Sequence, residues 1–191
     1  MTAEPASIAP DAALDTPASR FPVADFRHFM ETRQLDKVVE LFTDDFVARP
    51  LGTDEIEFRG PAKAKAMWNA VLEAGQFTYT EQFQSYDTIV ILFNIRFAGD
   101  IEFEAVDVLR IDEDGKCREI YAMARPYQPI SLFTGRVALA FSKQGGGLLN
   151  RFLTNLLVWP LELMQRVGEP FGVWLVRGAM DRSLKRAANG K

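Results

Sequence analysis

The sequence predicts an α+β domain in which three N-terminal helices pack on a curved, mainly antiparallel sheet, with a helical extension at the C-terminus. Three observations predict this. Apolar residues recur at helical spacing in three segments before residue 76. From residue 77 to 126 the period changes to two, across four consecutive segments. After "RPYQPI" the helical period returns.

Each element has its own local reason. "FPVADFRHFMETRQ" sets Pro22 near its start and Phe26, Phe29 and Met30 on one face, the pattern of a first helix. "LDKVVELFTDD" continues as a second short helix, with Leu35, Val38, Val39 and Phe42 on one side. "FVARPLG" is a strand that Pro50 bends or ends, and "DEIEFRG" is a brief second strand. "GPAKAKAMWNAVLEAG" is a third helix with Pro61 at its start, strong helix formers within and Gly75 at its end. "FTYTEQFQS", "TIVILFNIRFAG", "IEFEAVDVLRI" and "KCREIYAMARP" then form a meander, with "AGD" and "DEDG" as hairpin signals.

Both ends differ from this body. Residues 1–20 are rich in Ala and Pro and carry neither a basic start nor an apolar run. They predict a disordered arm and no signal peptide. Residues 1–142 carry a net charge of −9 (14 Lys/Arg, 23 Asp/Glu), and residues 143–191 carry +5 (8 and 3). An acidic body is not the footprint of a nucleic-acid-binding domain, and none is expected as a partner. In the tail, Leu149, Phe152, Leu153, Leu156, Leu163 and Val167 form an apolar stripe. An aromatic block, Phe171 to Val176, precedes Arg177, Arg182, Lys185 and Arg186. Such helices pack on the domain or a second subunit, or lie on a membrane surface. No apolar run reaches about 18 residues, so no spanning helix is expected, and the predicted location is the cytoplasm or the inner face of its membrane.

One Cys (Cys117) and one His (His28) exclude a disulfide framework and argue against a Cys/His zinc site. No spacing suggests a metal or cofactor. His28 lies off the apolar stripe of its helix and reads as a surface residue, and Cys117 reads as an inert structural thiol. The anomalous residue is Asp107. In "FEAVDVLRID" it shares a strand face with Phe103, Ala105, Leu109 and Ile111. A carboxylate there costs several kcal/mol if it is ionised and alone, so it is protonated, paired, or beside a wet cavity. Either it does chemistry or it holds a structural bond. Arg49 is the candidate partner; otherwise it binds an anionic ligand or points to solvent. Phe26, Phe42, Trp68, Phe93 and Phe103 line a pocket or form plain core. Ala122 and Ala124, alternating with Tyr121 and Met123, leave room for a cavity.

In "LDKVVELFTDDFVARP", "FRGPAKAKAMW" and above all "VDVLRIDEDGKCREIYAM", residues 21–128 resemble the nuclear transport factor 2-like superfamily, in its SnoaL-like and ketosteroid isomerase-like branch. The resemblance implies a cone with a pocket whose chemistry varies among members, so fold alone does not give function. It sets Asp107 on the isomerases' oxyanion-hole Asp. Their base falls on Arg49, their first-helix Tyr on Phe26, and two supporting tyrosines on Phe42 and Trp68. Arginine cannot remove the proton, so the isomerase mechanism is not expected. The Asp-Arg-Asp set of limonene epoxide hydrolases is missing too, because the last strand offers only Glu119. SnoaL-type cyclases need one pocket Asp, which Asp107 supplies.

The expectation is therefore a disordered arm at 1–20, a SnoaL-like domain at 21–128 and a basic amphipathic helical extension at 129–191. The chain forms a homodimer and binds an apolar polyketide-, terpene- or steroid-like molecule, with Asp107 as the acid/base or hydrogen-bonding group. The alternative is a catalytically silent scaffold, attached by its tail to a membrane or a protein partner.

Overall fold

The computed structural model describes residues 15–51 and 56–145. Helices α1 (Pro17–Arg20), α2 (Val23–Glu31) and α3 (Leu35–Glu40) precede strands β1 (Phe42–Arg49) and β2 (Phe58–Arg59). Helix α4 (Pro61–Ala74) is followed by β3 (Gln76–Ser85), β4 (Thr88–Phe97), β5 (Ile101–Ile111), β6 (Cys117–Arg125) and helix α5 (Tyr127–Gly145). The six strands form one sheet in the order β2-β1-β6-β5-β4-β3. Only β1 and β6 run parallel.

The sheet curves because its ladders are interrupted. The register shifts between Phe42 and Val47, between Tyr79 and Glu81, and between Arg110 and Ile111. Each such irregularity bends a strand and increases its twist. Alternation then fills the concave face: Ile89, Ile91, Phe93, Ile95 and Phe97 from β4 and Phe103, Ala105, Leu109 and Ile111 from β5 are all buried. Helix α4 covers this face with Ala64, Met67, Trp68 and Leu72, which recur at helical spacing.

The structure departs from the sequence reading in three places. Residues 15–20 of the expected disordered arm are ordered, and residues 1–14 lie outside the described residues: α1 is closed by a Thr16–Ser19 capping box and tied to the body through Ala18 N to Tyr86 O at 2.9 Å. The second helix ends at Glu40 instead of continuing through "FTDD", which is the start of β1. There Thr and Asp are poor helix formers, and pairing of Phe42 with Cys117 gives the backbone an alternative partner. The C-terminal helix starts at Tyr127, four residues before its expected apolar pattern. The tail stripe from Leu149 to Val167 and the block from Phe171 to Arg186 lie outside the described residues. Among the described residues, no helix is long and apolar enough to cross a membrane.

Helix α5 is seated by Phe133, which is 1% exposed and packs edge-on against Phe97 and Phe103 at centroid distances of 5.5 and 5.4 Å. Gly75 permits this approach, since a Cβ there would lie 3.0 Å from the Phe133 ring. Phe133→Ala should therefore cost about 3–5 kcal/mol in urea unfolding. Phe83→Ala, at a side chain 57% exposed, should change stability by less than about 0.5 kcal/mol. Equal effects of the two substitutions would contradict the seating of α5.

Candidate functional site

Asp107 sits mid-strand in β5, between Ile91 of β4 and Ala122 of β6. Its strand phase points it to the concave face, and it is 6% exposed. The neighbouring Ala122 has too short a side chain to cover it, so the carboxyl borders a cavity of about 240 Å³. Among the described residues it has no hydrogen-bond or ion-pair partner. Burial alone pushes its pKa up from 3.8 to about 7. The reason is desolvation: nothing nearby compensates the charged form, so the neutral acid is favoured.

The cavity is lined almost wholly by apolar side chains. Met67, Trp68 and Val71 come from α4, Phe93 and Ile95 from β4, and Ile120 and Ala122 from β6. Leu51, Ile56 and Phe58 close the side next to β2, and Phe133, Val137, Ala138 and Phe141 of α5 form a further wall. Thr134 is the polar side chain that α5 contributes to it.

The sequence-predicted site residues divide into two groups. Asp107, Arg49, Trp68, Phe93 and Ala122 border the cavity. Phe26, Phe42, Phe103 and Ala124 do not. Phe42 stacks on Phe46 at 4.0 Å, Phe26 packs on Phe21 and Phe42, and Phe103 meets Phe97 and Phe133, so these rings are core. Ala124 pairs with Ala105 and packs against that core. Of the two small residues expected to open the cavity, only Ala122 lines it.

Arg49 does not reach Asp107. Register pairs Ala48 with the buried Ile120 and Arg49 with Tyr121, so Arg49 is out of phase with the face that carries Asp107 and borders the cavity only at the strand's end beside Pro50. There its guanidinium donates to Glu57 Oε1 from Nε at 3.1 Å and forms a second ion pair with Glu119. Of the alternatives for Arg49, the pair with Asp107 is not formed, because Glu57 and Glu119 hold its charge.

Two further buried groups feel Asp107. Burial pushes the Tyr79 phenol well above its ordinary range, with the Asp107 charge adding to it, and the Tyr79 hydroxyl has no hydrogen-bond partner among the described residues. Burial likewise raises the Cys117 thiol, whose Sγ donates to Glu119 O at 3.3 Å. His28 is exposed.

The sequence reading missed Met67, Phe77 and Ile95, whose alternation or helical phase was visible but did not single them out. It also missed the α5 wall. An amphipathic helix shows that one face is buried, not what that face covers.

A curved sheet closed by helices over its concave face is the architecture of a nuclear transport factor 2-like protein. Within that class, the SnoaL-like domain profile matches residues 23–120, about half of the chain, and the chain belongs to that family. Solved structures agree on the fold. A steroid delta-isomerase from Pseudomonas aeruginosa is 23% identical with a TM-score of 0.59, over 67% of this chain and 93% of the other. A protein with a cystatin-like fold from Silicibacter pomeroyi is 17% identical with a TM-score of 0.55, over 64% and 83%. A nuclear transport factor 2-like protein from Mesorhizobium loti is 16% identical with a TM-score of 0.52, over 62% and 98%. No curated protein matches the chain.

The raised pKa sets a pH dependence. Between pH 3.8 and about 7 the folded chain holds a proton at Asp107 that the unfolded chain has lost. Stability from this group therefore falls as pH rises from about 4 to 7 and is level above, by roughly 4 kcal/mol in all at about 1.4 kcal/mol per unit. Asp107→Asn should remove that slope. In urea unfolding the variant should be more stable than the wild type at pH 8 and lose most of this advantage by pH 4. Parallel stability curves for the two proteins would contradict the assignment.

Proposed function

We propose that the protein binds an apolar small molecule in the cone and that Asp107 is the single acid/base or hydrogen-bonding group meeting it. The observation that carries this reading is the unpartnered, buried Asp107 carboxyl facing an apolar cavity with a pKa of about 7. A structural carboxylate is normally paired, because leaving it unpaired costs stability. A group that must give and take a proton near neutral pH is best served by a pKa close to that pH.

The chemistry available to such a site is proton transfer within one ligand. The ionised carboxyl takes a proton from an acidic C–H or O–H of the bound molecule and becomes the neutral acid. The same acid then returns the proton to a second atom of that molecule, so no net proton is consumed. Arg49 adds no second base, since a guanidinium stays protonated, and this one is held by Glu57 and Glu119. In the neutral form, Asp107 donates a hydrogen bond to a carbonyl or enolate oxygen.

Native mass spectrometry of protein purified without detergent tests the reading. A co-purifying organic ligand is expected in the wild type. Ala122→Trp should reduce its occupancy at least tenfold while the far-ultraviolet spectrum stays unchanged. A ligand carrying a neutral oxygen acceptor should also bind more weakly as pH rises through 7, by up to about tenfold per unit. Occupancy indifferent to both Ala122→Trp and Asp107→Asn would contradict the proposal.

A further inference from the structure

The SnoaL-like match ends at residue 120, yet one wall of the cavity is built by α5, which begins at Tyr127. Two aromatic anchors fix that helix. Phe133 is locked among Phe77, Phe97 and Phe103. Phe141 stacks face to face on Phe58 of β2, at 5.6 Å and 4°, and Lys143 Nζ donates to Glu73 Oε1 at 2.8 Å close by. The anchors are eight residues apart, so they stand roughly 12 Å from each other along the axis. Between them the residues that face the cavity are Thr134, Val137 and Ala138.

Those three are small, and Thr134 and Ala138 lie one turn apart on the same side of the helix. Thr134 Oγ1 donates its proton to Ile130 O at 2.9 Å, so toward the cavity it offers a methyl group and an acceptor only. The helix thus roofs the cavity with a shallow, nearly apolar recess bounded by a large ring at each end. The recess lies over the sheet that carries the buried Asp107, with Arg49, held by Glu57 and Glu119, also at the cavity's border.

We propose that α5 is the specificity-determining roof of the site. The small side chains of Ala138 and Thr134 leave the space that the ligand occupies, and Phe141 sets the limit on its length. The inference rests on the ligand-binding reading given above. It adds which element selects the ligand and what limits its length.

Two fluorescent phenols test this on the full-length chain: 2-naphthol, with two fused rings, and 1-hydroxypyrene, with four. The wild type should bind 2-naphthol and bind 1-hydroxypyrene at least tenfold more weakly. Ala138→Trp should weaken 2-naphthol binding more than tenfold. Phe141→Ala should tighten 1-hydroxypyrene binding at least tenfold. This second variant gains binding, so a folding defect in the first does not leave the proposal unsupported. The gained binding should remain sensitive to Asp107→Asn, which separates it from dye adsorbed on a loosened core. Asp107-sensitive 2-naphthol binding that neither α5 substitution alters would overturn the role of α5 and leave the pocket reading standing. Failure of the wild type and every variant to bind either phenol would overturn the pocket reading, and the role of α5 with it.

Discussion

A carboxyl held among apolar side chains, with no partner among the described residues, is the constraint on which this structure turns. Burial removes the water that would stabilise the Asp107 anion, and no cation replaces it. Arg49, although it borders the cavity, is held by Glu57 and Glu119. The carboxyl is left with two ways to lower its energy, holding its proton or meeting something in the cavity. Its pKa of about 7 leaves both open at neutral pH. That balance is what a proton-transfer or hydrogen-bonding site needs, and it opposes stability above pH 4 or so.

The aromatic side chains decide where space remains. Phe42, Phe46 and Trp68 form one contiguous stack, with Phe26 behind it. Phe77, Phe97, Phe103 and Phe133 form another at the far end of the concave face. The cavity lies between these fillings, where Ala48, Ala122 and Ala138 supply only methyl groups. Trp68 belongs to both, closing the first stack and lining the cavity. Phe26 and Phe42 are thus plain packing.

Much of this was legible in the sequence because period carries it. The alternation in β4 and β5 located the concave face, and the same alternation exposed Asp107 as out of place on it. What the period does not carry is register. Whether Arg49 faced Asp107 depended on pairing Ala48 with Ile120, a non-local fact that the Pro50 neighbourhood obscured. Ala122 and Ala124 looked equivalent, yet one lies beside Asp107 and the other beside Ala105. The start of β1 was read as helix because "FTDD" follows a helical stripe without a break. The parallel ladder to β6 overrides that local pattern. Helix α5 was visible as a helix, but its role as a cavity wall depends on Phe133 finding the gap above Gly75.

The account stands or falls on the protonation of one side chain. Selective ¹³C labelling of aspartate, with assignment of Asp107 by its loss in Asp107→Asn, allows the carboxyl carbon to be followed from pH 4 to pH 9. A single titration with its midpoint at about pH 7, well above the ordinary aspartate value of 3.8, is the expected result. A midpoint near 4 would contradict it, since that requires a solvated or ion-paired carboxylate where the structure has neither.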